Sequence, residues 1–570
     1  MNINKRYMPI LLALSVVIGI VIGTFYAKHF SGNRLNIINS GSNRLNNLLR
    51  IIDDQYVDTV NIDDLVEKAM PEILAELDPH SVYISSRDVQ QATDDLRGSF
   101  SGVGIEFVIR EDTVRVQNVI TDGPAERAGI LAGDKIVSID GKPFVGSEVT
   151  NEEAMHRLKG PKGSKVQVGV TRYGSKEVKQ FTVTRDDIIT HSVSAAYMLD
   201  KTTGYMKIKS FGETTYEEML VGLAQLSTDG MEQLVIDLRD NSGGYMLSAV
   251  QIADEFLPAR RMIVYTEGRK SPREDYPSSG RGSYQRLPLV VLINETSASA
   301  AEIFAGAIQD NDRGTVIGRR SFGKGLVQKP IEFPDGSMIR LTIARYYTPS
   351  GRCIQKPYTM GKDRSYEEDL LLRYEHGEFF SEDSIKQSGP AYHTHLGRTV
   401  YGGGGIMPDI FVAEDTSAMT SYYKEAAMRG LILQFAFEYT DANRQKLNGY
   451  KDLTSLMSHL KGQNLVEQFA TYGEKHGLKR RNLMIQKSHS LLEKYLVSRV
   501  VYNMLDEEAW LKYLNADDPA VEKALDVFRR DASFPHVDES KDKKGSTAYV
   551  VGGSHTLPLQ PRLLARRPWA

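Results

Sequence analysis

The chain has 570 residues, room for three or four domains of about 150 residues each, and its 41% apolar and 25% charged content is that of folded globular protein. Seventy Lys and Arg against 73 Asp and Glu leave a net charge of −3, so no excess of positive charge is available to neutralise phosphates and nucleic acid is not an expected partner. A single cysteine, Cys353, excludes an intrachain disulfide framework and any cysteine-rich zinc or iron–sulfur site.

Taken in chain order, the first feature is Met8–Ala27, which holds no charged residue. As a helix rising about 1.5 Å per residue, it would be roughly 30 Å long, the thickness of a bilayer's hydrocarbon core. Lys5 and Arg6 precede it, which by the positive-inside rule keeps residues 1–7 in the cytoplasm and sends the rest across. The run exceeds the apolar stretch of a signal peptide, and Thr24-Phe-Tyr-Ala27 lacks a small-x-small cleavage pattern, so an uncleaved anchor at residues 8–27 is expected. One cysteine also suits an oxidising compartment.

Residues 30–97 place Leu45, Leu48, Leu49, Ile51 and Ile52, then Leu65, Ala69, Ile73 and Leu74, at helical spacing and read as a small helical domain. From Gly98 the texture changes to short β-rich runs: Val103–Ile109, Val114–Ile120, Lys135–Ile139, Val166–Val170 and Gln180–Thr184. Between them lie Asp122–Gly129, Ala132-Gly-Asp134 and Asp140-Gly141, which read as one short helix and two turns. The segment Ser101-Gly-Val-Gly-Ile-Glu-Phe107, followed by GPAERAGILAGDKIVSIDG, resembles a PDZ domain of the bacterial protease type over residues 98–187. The resemblance implies that Gly102, Val103, Gly104 and Ile105 form a loop whose N–H groups receive a peptide's terminal carboxylate, while the next strand pairs with the peptide. An isolated Gly-x-Gly would signify only a tight turn.

Beyond Tyr205 strands alternate with helices: strand 205–210, helix 216–226, strand 234–238, helix 245–257, strand 287–293, helix 299–309. A hairpin follows, 326–333 and 338–347, across Asp335-Gly336. Residues 415–530 carry helical patterns of no evident purpose, and 531–570 lose periodicity and read as a disordered tail.

Two strand-to-helix turns carry serines, Leu238-Arg-Asp-Asn-Ser-Gly-Gly244 and Asn294-Glu-Thr-Ser-Ala-Ser-Ala-Ala-Glu302. Both sit at the carboxyl ends of strands, where α/β sheets place ligands and helix N-termini favour negative charge. Ser242 superficially resembles a trypsin-like nucleophile, but the βαβ pattern, the preceding PDZ segment and Arg239 at the expected glycine argue against it. The amides of Gly243 or Gly244 have a better use, pointing at a developing oxyanion. Ser297, on the second turn, reads as a helix N-cap.

NETSASAAEIFAGAIQDNDRG, then SFGKGLVQ, closely resembles the C-terminal processing peptidases, or tail-specific proteases, a serine–lysine family with a PDZ domain and a crotonase-like α/β core. The resemblance runs from Leu45 to Val412 and includes Leu77-Asp-Pro-His-Ser81, DLRDNSGG and Tyr401-Gly-Gly-Gly-Gly-Ile-Met-Pro-Asp409. It implies Ser299 as nucleophile, Lys324 as general base, Gln328 as the residue orienting the amine, and Gly243 and Ala300 as oxyanion-hole amides. Ser242 stands where many members have proline. The fold expected is α+β and multidomain: the helical domain, the PDZ domain as an inserted unit, a crotonase-like protease core over 188–414, and a helical extension over 415–530.

A lysine can accept the serine proton only when neutral, which from a reference pKa of about 10.4 requires a drop of roughly three units, about 4 kcal/mol against the ammonium. Phe322, Leu326 and Val327 are the expected dry wall, and Asp310 the structural holder of a loop. His393-Thr-His395 lacks a third ligand and any HExxH, so neither metal nor cofactor is expected. Cys353 reads as a packing residue, and Gly402–Gly405 as a tight backbone turn.

The whole describes a serine endopeptidase anchored as a single pass in the cell inner membrane, with its catalytic part in the periplasm. It would capture the carboxyl end of extracytoplasmic proteins in its PDZ groove and cut through an acyl-enzyme, and the family resemblance implies substrates with apolar C-terminal residues. PDZ movement about linkers near Gly98 and Asp186 is the regulation that family resemblance suggests, and helices 422–530 could serve a homo-oligomer or an adaptor. The rival is a non-catalytic, membrane-tethered PDZ scaffold.

Overall fold

The computed structural model describes residues 16–19, 42–530 except 111, 121, 148, 173–176, 362–365, 367 and 386–388, and 533–535. The expected anchor, but for 16–19, and the expected tail, but for 533–535, lie outside the described residues. Among the described residues no helix is long and apolar enough to cross a membrane. Contacts divide the chain into two units, Met1–Leu77 and Asp78–Ala570.

The first unit holds α1 (Ser42–Gln55) and α2 (Ile62–Ala75). Asn61 caps α2 by accepting the Asp63 N–H at 3.0 Å, which satisfies one of the unpaired amides of the first turn.

The second unit opens with β1 (Val82–Ile84), a strand inside a stretch whose periodicity reads as helix; three residues are too few for a period to show. After α3 (Val89–Arg97) the chain turns at Gly98, which has φ 73°. The PDZ segment follows: β2 (Ser99–Gly102), β3 (Ile105–Arg110), β4 (Thr113–Val119), α4 (Pro124–Ala128), β5 (Lys135–Ile139), β6 (Lys142–Pro143), α5 (Asn151–Leu158), β7 (Lys165–Thr171), β8 (Val178–Thr184) and β9 (Asp186–Ile189). Its sheet runs β3-β4-β5-β7-β8 with β6 beside β5, while β2 and β9 form a separate ribbon at entry and exit. In β7, Val166, Val168 and Val170 face the core and Gln167 faces water, the period-2 pattern of a half-covered sheet.

The α/β region is built from β10 (Val193–Met198), β11 (Thr203–Ile208), α6 (Thr215–Thr228), β12 (Gln233–Asp237), α7 (Met246–Asp254), β13 (Met262–Glu267), β14 (Glu274–Pro277), β15 (Leu289–Ile293), α8 (Ala300–Asp310) and β16 (Thr315–Gly318), followed by β17 (Leu326–Glu332), β18 (Met338–Tyr347), α9 (Asp369–Glu375), β19 (Ala391–His393), β20 (Thr399–Tyr401) and β21 (Ile410–Phe411). The main sheet has the order β10-β11-β12-β15-β16-β21 and is parallel from β11 onward. A second sheet runs β1-β18-β13-β14, with β17 on β18. Both faces of the main sheet are covered, which explains the unbroken apolar run of β15. Leu289, Val291 and Ile293 pack with α6, α7 and α8, while Val290 and Leu292 face the other way.

That other face is closed by the helical extension, α10 (Ser421–Met428), α11 (Leu431–Leu447), α12 (Leu453–Leu460), α13 (Leu465–Lys475), α14 (Asn482–Lys487), α15 (His489–Met504), α16 (Glu507–Asn515) and α17 (Pro519–Arg529). Most of these helices share a core around Tyr422, Phe435, Phe469, Leu492 and Val500. Val521, Ala524 and Phe528 of α17 instead bury against Val235, Val290 and Ile317 of the sheet.

Candidate active site

Three adjacent parallel strands, β12, β15 and β16, end side by side, and each hands the chain to a turn that carries a candidate residue. Hydrogen bonds lace the turns together. The Asp240 N–H donates to Asn294 Oδ1 at 2.9 Å, Asn294 Nδ2 donates to Asp240 Oδ1 at 2.8 Å, and the Ala298 N–H donates to Asn241 O at 2.9 Å. The Phe322 N–H reaches Ser297 O at 3.0 Å, bringing in the third turn.

Ser299 is half-buried at the entrance of α8 with φ 56° and ψ −116°, a conformation a non-glycine residue holds only when its surroundings over-determine it. They do so through Glu302. That side chain is wholly buried; its Oε2 accepts the N–H of Ser299 at 2.9 Å and of Lys324 at 2.8 Å, while its Oε1 accepts the Gly323 N–H at 2.7 Å and the Ser321 hydroxyl at 2.5 Å. Tyr346 closes the other side, its hydroxyl 3.1 Å from Ser299 O and 2.5 Å from Lys324 O. The backbones bearing the two candidate reacting groups are thus clamped at N–H and C=O alike. Burial lifts the Glu302 carboxyl to about 7, against the four donors that favour its charge.

Ser297 does not cap the helix as expected. The helix begins at Ala300, which makes Ser299 the cap, and the buried Ser297 hydroxyl instead accepts the Asn294 N–H at 2.9 Å and donates to Leu238 O at 2.8 Å, tying two turns.

Lys324 Nζ donates to Gln328 Oε1 at 3.3 Å, and Gln328 Nε2 donates to the main-chain oxygen of His80. Asp78 holds that segment, accepting the Ser81 hydroxyl at 2.6 Å and the Thr342 hydroxyl at 3.0 Å. Burial pulls the Lys324 amine below the ordinary lysine value, helped by Arg340 and opposed by Glu302 and Asp78. Burial and the neighbouring Lys324 bring His80 down to about 4, so its imidazole is neutral near pH 7. Leu326 is buried, and the Phe322 ring lies 4.1 Å from Lys356 Nζ, edge-on to Tyr366.

Gly243 comes up against the serine so closely that a Cβ there would sit 2.7 Å from Ser299 Cβ, with φ at 104°. Its N–H, expected to be open to an oxyanion, donates to Asn241 Oδ1 at 2.8 Å. The N–H groups of Ala300 and Gly244 have no acceptor among the described residues. Ser242 points outward and is exposed.

Asp310 ends α8 buried against Arg352 Nη2 at 2.7 Å and accepts the Ser350 hydroxyl at 2.7 Å, holding the 348–352 loop. The glycine run 402–405 lies behind the lysine turn; a Cβ on Gly405 would approach Ser321 O to 2.7 Å. The His395 N–H donates to Asp310 O at 2.8 Å, and Cys353 is partly buried. In the PDZ segment, Gly102 closes β2 and Ile105 opens β3, while the N–H groups of Val103 and Gly104 have no acceptor among the described residues.

Glu302, Tyr346, His80 and Asn241 were not singled out from sequence. Only the first left a local trace, since Ser299-x-x-Glu302 has the spacing of a capping box.

Residues 202–362 match the profile of Peptidase family S41, residues 101–184 that of a PDZ domain, and residues 422–506 that of a family of unknown function. A carboxy-terminal-processing protease of Bartonella bacilliformis is 37% identical over 317 residues, 55% of this chain and 72% of that one. A carboxyl-terminal-processing protease of Synechocystis sp. is 36% identical over 295 residues, 50% of this chain and 68% of that one. Among solved structures, a photosystem II D1 C-terminal processing protease is 29% identical, covering 55% of this chain and 90% of that one at a TM-score of 0.31.

Two outcomes are expected. Glu302→Gln turns an NH2 toward donors, so phosphonylation of Ser299 by a serine-directed organophosphonate should slow about 10²-fold, as for a misplacement near 1 Å, with circular dichroism unchanged. Arg340→Gln removes a cation that disfavours the Lys324 ammonium; the lysine pKa rises, and the pH midpoint of Ser299 labelling should move upward.

Proposed function

We propose a mechanism and a cellular place for this chain, which belongs to peptidase family S41, the carboxy-terminal-processing proteases: Ser299 is the nucleophile, Lys324 its base, and the substrates are extracytoplasmic proteins taken up by their C-termini. The observation that carries the reading is the clamp of Glu302 and Tyr346 on both residues. It supports a serine and a lysine held in fixed relation, the lysine in surroundings that favour the neutral amine.

In this mechanism the Lys324 amine takes the hydroxyl proton as Ser299 Oγ attacks the peptide carbonyl, and gives it to the leaving amine. Water, deprotonated by the same amine, then hydrolyses the acyl-enzyme. Gln328 Oε1 takes one hydrogen of Nζ, turning the remaining lone pair toward the serine, and contributes no charge that would hold the ammonium. The Ala300 N–H meets the developing oxyanion, joined by the Gly243 N–H as it leaves Asn241. The terminal carboxylate of the substrate takes the open N–H groups of Val103 and Gly104, and its apolar residues extend along β3. Met8–Ala27 anchors the chain in the inner membrane, with the catalytic part periplasmic; its apolar length and basic flank support this.

With an unfolded protein ending in apolar residues as substrate, Ser299→Ala and Lys324→Ala in the full chain should each lower kcat/KM by at least about 10³, and Ser242→Ala by less than about twofold. Full activity in Lys324→Ala would overturn the base assignment. On alkaline extraction of cells, the full chain should stay with the membrane pellet, and a chain lacking residues 8–27 should be released; release of both overturns the anchor.

A further inference from the structure

The segment that matches a family of unknown function, and the helices that follow it, grip the molecule at two places. One grip is on the PDZ domain. Arg110, at the end of β3 and only 10% exposed in its side chain, pairs with Glu438 of α11, and its Nη2 donates to the Tyr472 hydroxyl of α13 at 2.8 Å. Tyr472 donates in turn to Glu438 Oε1 at 3.2 Å, and the Tyr502 hydroxyl of α15 donates to Glu106 Oε2 at 3.1 Å. Gly133 faces α11 so closely that a Cβ would stand 2.2 Å from Asp441 Oδ1. Glu106 and Arg110 belong to the strand that continues from the Gly102–Ile105 loop.

The other grip is on the catalytic core. Arg239 Nη1 donates to Asp518 Oδ2 at 2.8 Å, and Asp518 is the cap of α17, accepting the Val521 N–H at 3.0 Å. Arg239 also holds the buried Asp237 and directly precedes the turn bearing Asn241 and Gly243. Trp510 packs on both the core of the helical bundle and the apolar cluster on the face of the main sheet, joining the two grips.

The other attachments of the PDZ domain among the described residues are slight, and include the β2–β9 ribbon, the Lys159–Asp94 pair at 3.2 Å and the exposed Arg87–Glu152 pair at 3.8 Å. A domain so attached is free to pivot. An ion pair buried on its arginine side and open to water on its glutamate side adds little net cohesion, yet with its hydroxyl partner it favours one arrangement over others. We propose that residues 421–530 are a strut that holds β3 at a set position relative to Ser299, so that a captured C-terminus is cut a set distance from its end. Glu438, Tyr472 and Tyr502 are positioning residues. This rests on the reading of Ser299 as nucleophile and of the PDZ domain as the site of C-terminal capture.

The test uses the full chain with two substrates, an unfolded protein ending in apolar residues and the same protein ending in two aspartates. Glu438→Arg should lower kcat/KM on the apolar-tailed protein at least about tenfold and scatter its cut sites, and leave the aspartate-tailed protein within about twofold. Arg110→Glu combined with Glu438→Arg should restore both rate and cut position. Equal effects on the two substrates, no effect, or failure of the swap to restore overturns the strut. Hydrogen exchange, repeated in a Ser299→Ala background, is independent of cleavage: amides 103–110 should exchange faster in Glu438→Arg and regain protection in the swap. If the wild type does not prefer the apolar tail, the capture reading fails and exchange alone decides the strut, which unchanged protection overturns.

Discussion

A single buried carboxylate organises the catalytic region. Glu302 receives three backbone N–H groups and one hydroxyl from two turns separated by more than twenty residues, and the Ser299 conformation would not persist without it. Desolvating a carboxylate is costly, and the raised value of about 7 shows that cost unrecovered in part. Neutral donors, rather than a cation, offset the remainder. That choice matters for the proposed mechanism, in which Lys324 acts as a neutral amine, because a lysine or arginine paired to Glu302 would add charge beside it.

The lysine sits in a balance of the same kind. Burial and Arg340 disfavour its ammonium, while Glu302 and Asp78 favour it, and burial leads. The burial comes from elements distant in the chain: the hairpin that follows Lys324 pairs through β18 with the short strand after His80, and the His80 main chain anchors Gln328. The Asp78-Pro-His-Ser81 segment is therefore part of the site's wall by way of its backbone, with Asp78 fixing the turn and His80 neutral against the amine.

The helical extension serves the core directly. Parallel sheets need cover on both faces, and α17 supplies on one side what α6, α7 and α8 supply on the other. The same extension reaches the PDZ strand as well: α17 closes the sheet, while α11, α13 and α15 hold Arg110 and Glu106.

From sequence alone the βα alternation, the 326–347 hairpin, a short helix within Asp122–Gly129 and the helical extension were legible, because each rests on local periodicity or turn chemistry. Resemblance of the motifs around Ser299 and Lys324 to those of a known family likewise identified the protease family. Tertiary structure decided what depends on partners far along the chain. The strand at Val82–Ile84 exists because β18 pairs with it, Ser297 is drawn to Leu238 and not to its own helix, and Phe322 lies under Lys356. Gly243 offers its amide to Asn241, and Glu302 and Tyr346 clamp two turns at once. Sequence patterns record which face of an element is buried; they do not record which distant donor or acceptor meets it there, and in this protein those meetings set the reacting groups in place.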